Sequence, residues 1–87
     1  MKEIRILLTE LTFTNLCKSG FITQNTEYGR MDISITKRDL QTLVTGQILT
    51  KDVNGLVVKM ALQDIGMEHI KEIIRRSPLF SEMYYEL

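Results

Sequence analysis

The sequence predicts an α+β domain of two layers: a mixed or antiparallel sheet, helices on one of its faces, and a short C-terminal helix. Three observations carry that expectation. Apolar residues alternate with period two in three segments. Each of those segments runs into a stretch whose apolar residues are spaced three and four apart. Glycine, asparagine and proline punctuate the joints. Period two marks a half-covered strand, and the three–four spacing marks one stripe of a helix.

The first strand places Ile4, Ile6 and Leu8 on one face and Glu3, Arg5 and Leu7 on the other. Thr9 then stands as a helix N-cap, with Phe13, Leu16 and Cys17 as the buried stripe and Gly20 as the left-handed stop. Phe21–Thr23 reads as a short strand, and Gln24–Glu27 as a turn. The second long strand sets Met31, Ile33 and Ile35 against Arg30, Asp32 and Ser34. Thr36 and Asp39 resemble a capping box with a short acid; Leu40, Leu43 and Val44 follow as the stripe, and Gly46 stops the helix. Gln47–Thr50 reads as another short strand and Lys51–Gly55 as a turn, in which Asn54-Gly55 is a strong hairpin pair. The third long strand sets Leu56, Val58, Met60 and Leu62 against Val57, Lys59, Ala61 and Gln63. The third helix starts at Gly66, with Asp64 as a further capping residue, and buries Ile70, Ile73 and Ile74. Arg75 and Arg76 suit its negative end, and Ser77-Pro78 ends it and opens the last helix.

This β-α-β-β-α-β-β-α order fits one domain over residues 1–87, with a ferredoxin-like arrangement as the leading topology. The alternative is an imperfect repeat of strand–helix units starting near residues 2, 29 and 56, because the caps Thr9, Thr36 and Gly66 are followed by apolar residues at the same offsets. A chain of 87 residues exposes ~5,300 Å² when folded and buries roughly 64% of its unfolded surface, enough for a modest core without disulfides or metals.

Composition narrows the function classes. Lysine plus arginine and aspartate plus glutamate are both 11, so the formal charge is zero and no basic surplus points to nucleic acid. The charges also mix locally: Glu3 near Arg5, Arg30 near Asp32, Lys71 beside Glu72. Arg75-Arg76 is a pair of adjacent cations with no acid immediately beside it. A single cysteine, Cys17, forbids an intrachain disulfide, and the start carries no secretory pattern; the expected compartment is the cytoplasm, with no membrane contact. The overall impression is of a bacterial or phage accessory protein.

Chemistry-bearing patterns are few. The segment Asp64–His69 gathers Asp64, Glu68 and the only histidine, His69, at a strand-to-helix joint, and this is where an enzyme or small-ligand site would lie. No sequence neighbour orients His69, as general-base chemistry requires, and one histidine cannot build a histidine-rich zinc site. The glycines stand singly, so no phosphate loop can be written. Catalytic, metal and cofactor sites are therefore all expected to be none. An open sheet face carrying Arg5, Arg30 and Lys59, helped by Arg75 and Arg76, could hold nucleic acid, but Tyr28–Ile33 lacks the stacking aromatics of RNA-binding sheets.

Two apolar surfaces stand out instead. On the open sheet face, Leu7, Val57 and Ala61 sit among Arg5, Arg30 and Lys59. In the C-terminal segment, Leu79, Phe80, Met83, Tyr84, Tyr85 and Leu87 crowd into the last nine residues. The segment either folds over the core, with Phe80, Met83 and Tyr84 at helical spacing, or docks on a partner with Leu79, Phe80, Met83, Tyr84 and Tyr85 as the contact. The expected function is a non-enzymatic protein-interaction protein, binding a protein partner or a second copy of itself as a homodimer.

Overall fold

The computed structural model describes residues 2–87. Five strands and three α-helices alternate: β1 (Glu3–Leu8), α1 (Glu10–Ser19), β2 (Phe21–Thr26), β3 (Gly29–Ser34), α2 (Lys37–Val44), β4 (Leu49–Val53), β5 (Leu56–Leu62) and α3 (Met67–Arg75), followed by a 3₁₀ helix over Ser81–Glu86. The chain is an α+β protein with the expected element order. Its folded surface, 5650 Å², is close to the scaling expectation.

The helix ends sit where the sequence puts them. The Thr9 hydroxyl accepts from the Thr12 amide, and Thr36 and Asp39 form a reciprocal capping box. Gly66 caps α3 with no side-chain bond, so Asp64 does not serve as its cap. Each helix buries the stripe expected of it, except that Ile73 is only half-buried. Gly20 ends α1 at φ +83, and a side chain there would also meet Leu79 at 3.0 Å.

The strands divide into two sheets rather than one. β5 is central in the order β1-β5-β4, parallel to β1 and antiparallel to β4, while β2 and β3 form a separate antiparallel hairpin. A ferredoxin-like single sheet therefore does not form. The reason lies in the strand sequences. β5 is apolar except for Lys59, which suits a strand flanked on both sides, whereas β1 carries Glu3 and Arg5 and takes an edge. The hairpin buries its own apolar face, Ile22, Met31 and Ile33, against the common core.

Both β2 and β4 run past their expected ends. β2 continues through Gln24-Asn25-Thr26 to a two-residue turn at Glu27-Tyr28, so it is as long as β1 and β3. The Thr26 hydroxyl closes that turn, donating to the Gly29 carbonyl and accepting from the Tyr28 amide. β4 runs to Val53 and turns at Asn54-Gly55, both at positive φ, the geometry this pair favours in hairpins.

The last ten residues close the core. The buried Ser77 hydroxyl donates to the Cys17 carbonyl at 2.5 Å and accepts from the amides of Leu79 and Phe80. Pro78 starts a turn, not an α-helix, and a 3₁₀ helix follows. That helix repeats every three residues, so Phe80 and Met83 enter the core while Tyr84 falls off the stripe. Glu86 then reaches Lys37 and Gln41 of α2.

Candidate interaction surface

Among the described residues no helix covers the outer face of the three-stranded sheet. Strand register pairs Glu3 with Val57, Arg5 with Lys59 and Leu7 with Ala61, and alternation turns all six side chains away from the core. Their charges are tied together. The Glu3 carboxylate meets Lys59 at 3.0 Å and Arg5 at 2.9 Å, and those two cations hold its carboxyl below the usual carboxylate range. Two of the three cations expected to offer a phosphate-binding face therefore share one acid.

The upper end of the same face is apolar. Leu7 and Ile48 are 61% and 64% exposed, and with Ala61 they line a shallow depression of about 300 Å³ rimmed by Arg5 and Lys59. Ile48 is the residue that sequence reasoning missed. Its signal was present: Ile48 and Leu49 are adjacent and apolar, and once Leu49 points into the core its neighbour must point out.

Arg30 is not part of this surface. It lies on β3 in the separate hairpin, 3.8 Å from Asp32, so the five residues expected to share an open face divide between two sheets. The C-terminal set divides as well. Phe80 (8% exposed) and Met83 (1%) are core residues of their own chain and cannot serve as partner contacts. Leu79, Tyr84 and Tyr85 stay at the surface; the two tyrosine rings meet edge to face, and Tyr85 is 87% exposed.

The structure gives His69 a partner that the sequence did not reveal. Its Nε2 lies 2.5 Å from the Glu10 carboxylate, across α1 and α3. The pair lines both a groove of about 350 Å³ between those helices and a neighbouring depression beside Asp64. Glu68 lines neither. The nucleophiles in the groove are committed elsewhere: burial pushes the Cys17 thiol up to about 12, and the Ser77 hydroxyl is the hinge of the C-terminal turn. The arginines at the end of α3 are paired too, both on Glu72, one turn back, at 2.6 and 2.8 Å. Hydrogen bonding to Arg75 is the main reason the Glu72 carboxyl falls to about 2.

Among the described residues no group of acids, histidine and cysteine is arranged to hold a metal ion, and no helix is long and apolar enough to cross a membrane. Comparison with protein-family models, curated proteins and solved structures gave no match.

Proposed function

We propose that the chain is a non-enzymatic, homo-oligomeric protein-interaction module that docks a protein partner on the outer face of its three-stranded sheet. The observation that carries this reading is the shelf of Leu7, Ile48 and Ala61: two large, mostly exposed apolar side chains from neighbouring segments, with the half-buried Ala61 between them. Apolar groups gathered at one place and rimmed by charge match the centre-and-rim pattern of protein interfaces. The rim is already neutralised internally, so a partner would meet oriented ion pairs rather than free cations, which favours protein over polyanion. The committed state of Cys17 and Ser77 likewise supports a binding role for the molecule over a nucleophilic one.

A photo-reactive side chain at position 61 tests the reading in extracts of the source cells. The expected result is a discrete protein adduct that Leu7→Asp and Ile48→Asp each abolish and that Arg30→Ala, on the other sheet, leaves intact. Absence of any adduct, or an adduct indifferent to both shelf substitutions, overturns it.

A further inference from the structure

The free edge of β1 is self-complementary, and this goes beyond the docking shelf. The amide of Val57 donates to the Lys2 carbonyl and that of Gln63 to the Leu8 carbonyl, so the even-numbered residues of β1 turn their backbone groups toward β5. The N–H and C=O groups of Glu3, Arg5 and Leu7 consequently point away, along an edge on which no other strand is paired among the described residues. Such an edge is a template for another strand.

We propose that the occupant of this edge is the β1 of a second copy of the chain, antiparallel to the first, with Glu3 opposite the second copy's Arg5. The proposal rests on the reading of the chain as a homo-oligomeric module and specifies its interface. Register follows by elimination. Shifts that pair odd with even residues set outward backbone groups against inward ones and bring opposite faces together. Among the remaining symmetric registers, centring on Glu3 opposes two acids and centring on Arg5 opposes two cations, both unfavourable. Centring on Ile6 sets Arg5 against Leu7 and carries Glu3 past the end of the strand, and centring on Leu7 or Leu8 leaves at most three residues of each strand overlapping. Centring on Ile4 sets Glu3 against Arg5 twice, in backbone-bonded pairs, with both side chains on the outer face. Arg5 exchanges its Glu3 within the chain for the Glu3 of the second copy, while Lys59 keeps its own, so no charge is stranded.

A second observation points to the same centre. Ile4 is the one residue on the inner face of β1 that its own chain leaves incompletely covered; Ile6 and Leu8 are buried. In this register Ile4 meets the second copy's Ile4 at the two-fold axis, as a non-hydrogen-bonded pair whose side chains approach closely. Charges that blunt indiscriminate edge pairing here select one register. The product is a six-stranded sheet, β4-β5-β1 joined to its symmetry mate, with both apolar shelves on one continuous face.

Sedimentation velocity of the full chain, with charge reversal, tests this. The wild type is expected to be a dimer. Glu3→Arg and Arg5→Glu alone each place like charges opposite one another twice and should weaken the dimer about tenfold. An equimolar mixture of the two variants pairs every charge again and should restore association, which excludes misfolding as the cause of the loss. Ile4→Cys should form an interchain disulfide on mild oxidation, because opposed residues at such a position have Cα atoms about 4.5 Å apart. Leu7→Cys should not. The buried Cys17 does not compete. A monomeric wild type, single variants that dimerise normally, or a mixture that fails to recover each overturns the proposal. Adduct formation at position 61 is read separately, so a partner captured there by a monomeric chain retires this interface and leaves the docking reading standing.

Discussion

Phe80 and Met83 lie against the core of their own chain, while Leu7 and Ile48 remain in water on the opposite side of the sheet. All four are large, apolar and close to charged neighbours in sequence. What separates them is backbone chemistry. Ser77 supplies a buried hydroxyl that holds the end of α1 and turns the chain, so the segment beyond it is delivered onto the core. No comparable hook brings anything over Leu7, whose strand alternation points it outward as firmly as it points Leu8 inward. Hydrophobicity alone marks a residue as needing cover; the hydrogen bonds that steer the chain decide whether that cover comes from within.

The largest effect that separates the two regions should come from the C-terminal one. Phe80→Ala is expected to cost about 3–5 kcal/mol, as emptying a packed aromatic site does, read as a lower urea midpoint at unchanged m-value. A loss below about 1 kcal/mol would place Phe80 in the same class as Leu7 and break the contrast. Ser77→Ala tests the hook itself. It strands the Cys17 carbonyl and two amides, and should cost about 1–3 kcal/mol without removing any apolar surface.

Much of this division was legible in the sequence, and the remainder was hidden for physical reasons. Caps and stripes are local: Thr9, Thr36 and Gly66 announce the helices because the bonds they make or permit lie within three residues. Alternation in β1 and β5 is local too, so their share of the open face could be read directly, while Arg30 was wrongly added to it and Ile48, outside any strand, was missed. Gln24-Asn25-Thr26 reads as a loop because polar residues are common to turns and to the wet face of a hairpin, and only the cross-strand partners Met31, Arg30 and Gly29 distinguish the two. Glu10 and His69 stand far apart in the chain, and nothing near either residue foretells their contact. The 3₁₀ helix escaped because Phe80 and Met83 fit three-residue and 3.6-residue periods equally; Tyr84 was the residue that could tell, and it lies outside the core.

Acid sharpens the contrast between the two sides of the sheet, because each carries a carboxylate held by a cation. On the covered side Asp39 is largely enclosed, and burial alone would raise its pKa. The bond from Lys51 at 2.7 Å and the Thr36 amide outweigh that and lower it. Its folded pKa thus lies below its unfolded one. The stabilisation is complete above the ordinary aspartate range and is lost as pH falls through the folded value. Asp39→Asn should cost about 1–2 kcal/mol near neutrality, between the worth of a surface pair and a buried one, and should flatten the acid limb of the stability curve. Glu3 on the open face is lowered in the same direction, but it is exposed, so moderate salt should erase its share while sparing that of Asp39.

The smallest expected effect on stability is also the most diagnostic. Leu7→Asp adds a charge to a side chain that is 61% exposed, and it should change the unfolding free energy, read from urea titration, by no more than about 0.5 kcal/mol. Ordinary core or boundary residues do not tolerate a buried charge so lightly, since desolvation alone costs several times that. If Leu7→Asp is instead strongly destabilising, something within the chain covers the shelf in solution, and the open face resembles the C-terminal region after all. If stability holds while the adduct at position 61 disappears, the shelf is retained for what it binds and not for what it stabilises. Ile48→Asp should repeat the result from the segment that leads into β4, on the far side of β5, which distinguishes a shared surface from a local defect at the β1 edge.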